Sequence, residues 1–416
     1  MKTAITPNAA IPPQVETALK QTWAWHEAGL EAIVHTPFIH ADRISEALDC
    51  ELWIKLENLQ HTGSFKERGA LVKLLSLSDK ERAVGVVAAS AGNHAQGLAR
   101  HAGRLGIQAT LVMPVGTPVV KARQTEELGA KVVLHGEAFD DAQAHAEHLV
   151  EAEGLTLIHP FDDPFVIAGQ STLAREILMQ SPRFDALIAP IGGGGLMAGA
   201  ALAARELAPH MELIGVQAEL FPTMANALDG AQRAVGGNTL AEGIAVKRPG
   251  ALTRQIIGAL VDDIVLVGEP ALERAVNMYL NKSKTLAEGA GAAGLAAILS
   301  DRERFRGKRV ATMVCGGNID TRLLSSLLLR DLARSGRMAR LRIELIDVPG
   351  QLVRVSEVIA ETQGNVIDVA YHRIFSDLPA KVTYIDISVE AHDGPHMERI
   401  LAALRKKGFK VETAGY

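Results

Sequence analysis

Residues 186–207 read ALIAPIGGGGLMAGAALAAREL. The segment opens with a short, wholly apolar run, the pattern of a strand covered on both faces. Four consecutive glycines, Gly192, Gly193, Gly194 and Gly195, come next, followed by a long Ala- and Leu-rich stretch of helical character. A buried strand that enters a helix through a glycine loop is half of a β-α-β unit. The same alternation runs outward from it. Strand-like runs stand at 84–89, 107–112, 131–135, 155–159, 185–190 and 213–217, and helix-length segments at 118–128, 137–153 and 166–180. Strands alternating with helices need crossover connections, which gives an α/β class with parallel sheets wrapped by helices.

The texture changes at 331–340 (DLARSGRMAR), a polar and basic stretch behind a Leu-rich helix at 321–332. We read 1–330 as one domain with a smaller lobe at roughly 60–160, 331–340 as a linker, and 341–416 as a second domain. That domain has strands at 340–346, 366–373, 382–390 and 409–413 and helices after Pro349–Gly350 and at 397–407. In the third strand Ile385, Ile387 and Val389 alternate with Asp386 and Ser388, the period of a sheet with one wet face. Leu352, Val355, Val358, Ile359 and Thr362 form an apolar stripe at helical spacing. The order βαββαβ is a ferredoxin-like module.

Composition narrows the function classes. The 416 residues are 48% hydrophobic and 22% charged, a globular balance. Lys plus Arg number 43 against 48 Asp plus Glu, a net charge of −5, and aromatics are 4%. Neither a positive field nor a stacking platform for nucleic acid is available. Two cysteines, Cys50 and Cys315, cannot staple a chain of this size, which points to a reducing, cytoplasmic setting. No export signal is expected in MKTAITPNAAIPPQ, and no apolar run of about 18 residues suggests a membrane span.

Four segments carry chemistry. In GSFKERGA, Lys66 stands at the expected start of a helix, where the positive end of the dipole disfavours its ammonium form and frees the amine as a nucleophile. A solvated lysine in a Lys-Glu-Arg cluster is the alternative. In VVAASAGNHAQGLA, Ser90, Ala91 and Gly92 leave amides open before a helix, with Asn93 and His94 as added side-chain donors, so the turn suits a carboxylate. Helix caps from Ser and Asn are the other reading. The tetraglycine Gly192–Gly195 can wrap a phosphate at a helix N-terminus. It is not G-x-G-x-x-G and lacks the following ribose-holding acid, which argues against a dinucleotide; a flexible turn remains open. ATMVCGGNID places Cys315 at a strand end, either as a partner for a ring or as a small buried hydrophobe.

In this order and spacing, the four segments resemble the fold-type II pyridoxal-phosphate enzymes, most closely the threonine dehydratases (threonine ammonia-lyases), over about residues 30–330. The C-terminal module resembles an ACT domain. The resemblance implies pyridoxal 5'-phosphate as cofactor, joined covalently to Lys66, with its phosphate in Gly192–Gly195 and its ring hydroxyl on Asn93. It places Cys315 at the pyridine nitrogen, Phe65 beside the ring, and the substrate carboxylate on Ser90, Ala91, Gly92, Asn93 and His94. The implied reaction is conversion of threonine to 2-oxobutanoate and ammonia, with serine giving pyruvate as a side activity. Relatives that racemise serine carry a hydroxyl where this chain has Ala91, so racemisation is disfavoured. In serine-handling relatives that bind a divalent cation, Glu219 matches one ligand, but Ala225 stands at the other, which speaks against a metal there. Glu288 reads as a helix-start glutamate or as help to a cation. The ACT resemblance implies an amino-acid effector, isoleucine or valine, at the turn 347–352, and a homodimer or homotetramer. The alternatives are a serine dehydratase or racemase, and a non-catalytic amino-acid sensor.

Overall fold

The computed structural model describes residues 11–30, 32–180, 183–372, 379 and 381–413. The chain divides into two compact units between Ile319 and Asp320.

Among the described residues the first unit holds ten strands: β1 (Phe38–His40), β2 (Glu51–Leu56), β3 (Val86–Ala89), β4 (Ala109–Met113), β5 (Lys131–Leu134), β6 (Thr156–Leu157), β7 (Ala186–Pro190), β8 (Glu212–Ala218), β9 (Asp263–Val267) and β10 (Arg309–Val314). They form two sheets. The larger runs β1-β2-β10-β7-β8-β9, parallel except for the edge strand β1, and the smaller runs β5-β4-β3-β6, all parallel. Central strands β3, β7 and β10 are apolar and almost wholly buried, as strands covered on both faces must be. The expected strand at 84–89 starts only at Val86, because Ser78 and Glu81 form a capping box that carries a short helix, Asp79–Val84, up to that point.

Helices join the lobes at close quarters. A Cβ added at Gly169 would lie 2.6 Å from Cα of Gly69, so helices Lys66–Leu75 and Pro164–Gln180 meet backbone to backbone. Beside this contact lies a buried charge network. The Arg68 guanidinium is bidentate to Glu57 at 2.8 and 2.8 Å and to Glu176 at 2.6 and 3.0 Å. Lys55 Nζ adds a 2.5 Å pair to Glu176 and donates to Thr36 O at 2.7 Å. Glu67, also fully buried, accepts the Thr62 amide and faces His101 Nε2 at 3.1 Å. The Lys-Glu-Arg run is therefore no solvated cluster: Glu67 and Arg68 tie the helix that starts at Lys66 to its neighbours.

The second unit opens with the helix Thr321–Arg334, capped by Asp320, whose carboxylate accepts the Leu323 amide at 2.9 Å. This helix packs against β11 (Met338–Ile346), so the unit begins before the expected 330. The expected linker 331–340 is instead the end of that helix, a turn, and the start of β11. After β11 come the helix Gln351–Glu361, β12 (Asn365–His372), β13 (Val382–Glu390), the helix Gly394–Lys406 and β14 (Lys410–Thr413). The βαββαβ order is present, in an antiparallel sheet β12-β13-β11-β14. Ile385, Ile387 and Val389 are fully buried against Val355 and Ile359. Asp386 lies nearly buried on the opposite face, because Arg342 holds it in a bidentate pair at 2.8 Å. The expected strand end at Arg373 and the N-terminal segment 1–10 lie outside the described residues. Among the described residues no helix is long and apolar enough to cross a membrane.

Candidate active site

Each chemical segment follows the carboxyl end of a parallel strand, where α/β sheets leave a crevice. Lys66 follows β2, Ser90–His94 follow β3, residues 159–163 follow β6, the tetraglycine follows β7, and Cys315–Asn318 follow β10.

The loop after β2 is stitched to the end of β10. Ser64 bridges Gly316, the Phe65 amide donates to Cys315 O at 3.0 Å, and the Gly317 amide donates to Gly63 O at 2.9 Å. Lys66 is thereby the first residue of its helix, as expected. Its Nζ donates to Pro160 O at 2.8 Å and lies 5.3 Å from the centre of the Phe65 ring. Burial pushes the ammonium down to about 8, against the partial opposition of Cys315 and Glu288. The amine is a usable base near neutrality.

The tetraglycine packs where side chains cannot. A Cβ at Gly193 would stand 2.3 Å from the Phe161 ring, and Gly194 has φ +102° with Thr253 2.8 Å from its missing Cβ. Thr253 Oγ1 donates to Gly193 O at 2.6 Å. Asp162 accepts the amides of Ala251 and Thr253 at 2.9 and 3.0 Å and so fixes that helix start. Among the described residues none of the amides of Gly192–Gly195 is bonded to a protein acceptor. Residues 160–162 join the two halves of the site: Pro160 holds Lys66, and Phe161 and Asp162 hold the glycine loop and its neighbour.

Gly92 is the N-cap of the helix Asn93–Arg104, and no side chain caps it. Ser90 Oγ accepts the Gly92 amide at 3.3 Å. Ser90, Ala91, Gly92 and Asn93 are half-buried, open enough to receive a small anion. His94 differs from expectation. Its Nε2–H is committed to Ile158 O at 3.1 Å, and desolvation together with the charge of Lys66 brings its imidazolium down to about 3. It is neutral, and its side-chain donor is not free for a substrate.

Cys315 is 2% exposed, and burial, reinforced by Glu288, raises its thiol well above the ordinary range, so it stays neutral. Asn93 is engaged on both sides, with Glu288 Oε1 at 2.9 Å and with Asn318 Nδ2 at 2.8 Å. Glu288 is the residue before the helix Gly289–Ser300, as expected, but its side chain makes no cap bond and turns to Asn93.

Sequence reasoning missed His159, Pro160, Phe161, Asp162 and Thr253. His159 Nδ1 accepts the Phe161 and Asp162 amides at 3.2 and 2.7 Å, which shapes the turn that presents Pro160 O to Lys66. The signal was available: HPFDD closes an expected strand, as the other site turns do.

Comparison with known proteins agrees with this arrangement. Residues 30–316 match the family described as pyridoxal-phosphate dependent enzyme, and residues 334–407 match the ACT domain. An L-threonine ammonia-lyase of Thermotoga maritima is 41% identical over 93% of this chain and 97% of its own length. One from Geobacter sulfurreducens is 41% identical over 91% of this chain and 94% of its own length. The processed form of threonine deaminase isoform 2 from Solanum lycopersicum superposes with a TM-score of 0.74 at 33% identity, covering 79% of this chain and 91% of that one. Maize serine racemase gives 0.69 at 30% identity, covering 76% and 98%. The residues present fit the family's cofactor: a desolvated primary amine, unbonded loop amides for a phosphate, a neutral thiol, and an aromatic face at Phe65. The chain belongs to the pyridoxal-phosphate-dependent enzymes, in the group of the threonine ammonia-lyases, with a C-terminal ACT domain.

Proposed function

We propose that this chain converts L-threonine to 2-oxobutanoate and ammonia, with L-serine to pyruvate as a lesser activity. The observation that carries the reading is the buried amine of Lys66, which donates to Pro160 O at 2.8 Å and is joined through Phe161 to a glycine loop whose amides meet no protein acceptor among the described residues.

Lys66 would hold the cofactor aldehyde, Gly192–Gly195 its phosphate, Asn93 its ring hydroxyl, Cys315 its pyridine nitrogen and Phe65 one face. Bound there, pyridoxal phosphate supplies an electron sink for charge that develops at the substrate α-carbon. The turn Ser90–His94 orients the substrate carboxylate with backbone amides at a helix N-terminus. Lys66 Nζ would be the base that takes the α-proton, and as ammonium it would return a proton to the departing β-hydroxyl oxygen. Water lost in that step is balanced by water added when the enamine product hydrolyses to oxo acid and ammonia.

A racemase needs a second proton carrier on the opposite face of the α-carbon. Ala91, at the position where the racemases carry a hydroxyl, supplies none, which favours elimination. Incubating coenzyme-loaded protein with threonine, serine and hydroxyaspartate and quantifying oxo acid, ammonia and D-amino acid tests this. Threonine turnover to 2-oxobutanoate is expected to dominate; D-serine as the main product would overturn the reading. A non-catalytic sensor would show no imine absorption and no borohydride labelling of Lys66.

For the second unit we propose feedback control by isoleucine or valine. A pocket of about 240 Å³ is lined by Asp347–Val353 and Tyr371, at the turn where the effector is expected. Around it Ile346, Val348, Val353, Ile367 and Tyr371 are exposed, and β12 is an edge strand of its sheet. An apolar edge of this kind supports pairing between copies, and we infer a homodimer or homotetramer. Isoleucine and valine titrations of ammonia release, with light scattering for mass, test both parts. An unchanged rate and saturation curve would remove the effector, and a monomer would remove the pairing. Two buried free thiols, Cys50 and Cys315, support a reducing, cytoplasmic location.

A further inference from the structure

Asn318 fixes the polarity of a short chain of side chains. Its Nδ2 donates to Thr62 O at 2.8 Å and to Asn93 Oδ1 at 2.8 Å, with Gln96 Oε1 farther off at 3.4 Å. A backbone carbonyl can only accept, so the Asn318 amide has one possible orientation, and Asn93 must present oxygen to it. Asn93 Nδ2 then points its other contact at Glu288 Oε1, 2.9 Å away.

Glu288 is built into this position. It leaves its own helix start uncapped and accepts instead from Asn93 and from the Asn318 backbone amide. The wall around it is glycine: a Cβ at Gly316 would fall 2.5 Å from Glu288 Oε1, and one at Gly243 would fall 3.4 Å away. A carboxyl group enclosed so closely, with the amide of a cofactor-facing residue as its partner, does more than begin a helix.

We propose that Glu288 is a positioning residue for the cofactor ring, holding the Asn93 amide with its oxygen turned to Asn318 so that the second Nδ2 hydrogen is left for the ring hydroxyl. The proposal rests on the proposed function, which places the ring hydroxyl at Asn93. The charge of Glu288 then acts through Asn93 on the electron density of that oxygen. Burial brings the Glu288 carboxyl up to about 7, with Asn93 and the Asn318 amide opposing, Glu242 reinforcing and Lys121 opposing; Lys66 and Cys315 are the other ionisable groups it acts on. The state of the carboxyl therefore changes near neutrality.

The test is a pH titration of cofactor absorption in the holoenzyme, in wild type, Glu288→Gln and Asn318→Ala. Wild type is expected to show a spectral step near pH 7, the range to which Glu288 is raised. In Glu288→Gln the step disappears, kcat falls about tenfold, as for partners that orient a ligating group, and KM stays nearly fixed. Asn318→Ala retains the carboxyl and frees the Asn93 amide, so it shifts the spectrum in the same direction by a smaller amount. A Glu288→Gln spectrum, pH profile and kcat that overlay wild type overturn the proposal. If that variant does not fold, an Asn318→Ala spectrum identical to wild type does so. Wild type without cofactor absorption would instead sink the proposed function itself, a separate result.

Discussion

The ammonium of Lys66 donates to the carbonyl oxygen of Pro160 at 2.8 Å, the only hydrogen bond its side chain makes among the described residues. One neutral acceptor does not replace the water removed on burial, so the ammonium is brought down to about 8 from 10.5. Between those values the unfolded chain binds more protons at this site than the native chain does. Native stability of the cofactor-free protein therefore rises with pH from about 8 to 10.5. Lys66→Met should flatten that slope in urea titrations, abolish imine absorption and reduce ammonia release to background. A variant with normal turnover would exclude Lys66 as the attachment point.

The glycine loop offers a sharper geometric test. Gly193→Ala drives a methyl group into the Phe161 ring, and Gly194→Ala forces a side chain into a left-handed conformation beside Thr253. The conformational part alone costs about 1–2 kcal/mol. Cofactor affinity, measured by equilibrium dialysis, should fall about tenfold or more in either variant. Thr253→Val removes the 2.6 Å donor to Gly193 O and should weaken the cofactor by a smaller factor, which Thr253→Ser restores. Affinity unchanged in all three would mean that the loop does not hold the phosphate.

Much of this site was legible because its chemistry is written as strand, small-residue turn and helix. Gly192–Gly195 and Ser90–Asn93 each stand where an apolar run ends, Lys66 stands at the start of a helix, and the fold carries all three to one crevice. Residues that act by long-range pairing were not legible. Arg68, Glu57 and Glu176 are each an ordinary charge in a helical or turn segment, and only the backbone contact of two helices reveals them as one buried group. From the KTLAEGAG pattern Glu288 reads as a helix start or as help to a cation, because nothing in its own segment announces Asn93, 195 positions away. The linker at 331–340 failed for a different reason: polarity marks an exposed surface as well as a loop, and the helix Thr321–Arg334 is polar on its open side.

Cys315 gives a third expectation. Its thiol is neutral, since burial and the nearby Glu288 both oppose a thiolate. A neutral partner does not keep a pyridine nitrogen protonated, which limits how long negative charge persists at the α-carbon and favours loss of the β-hydroxyl. Cys315→Ser is therefore expected to retain activity within a few-fold. Cys315→Asp is expected to slow elimination and to bring out absorption at longer wavelength during turnover. Unchanged elimination in Cys315→Asp, with no new band, would separate this residue from control of the reaction course.

The buried network around Arg68 governs whether Lys66 is presented at all, because Arg68 lies two positions along the same helix. Burial alone would raise the Glu176 carboxyl, but the hydrogen bond to His26 and the charges of Arg68 and Lys55 overcome it and hold the group well below the ordinary 4.5. A carboxylate depressed in the native state contributes stability above the unfolded value that is lost as pH falls below it. Acid should therefore destabilise the protein progressively below about pH 4.5, with Glu176 as one cause. Glu176→Gln leaves Arg68 and Lys55 sharing Glu57 as the remaining carboxylate of the group. Breaking a buried pair from one side costs about 3–5 kcal/mol. Urea midpoints at neutral pH should fall accordingly, and the acid slope of the variant should be shallower than that of wild type. Arg68→Met combined with Glu57→Gln and Glu176→Gln removes most of the charge and should recover part of the loss, although Lys55 remains. If the single variant were as stable as wild type at neutral pH, the network would have no part in holding the Lys66 helix in place.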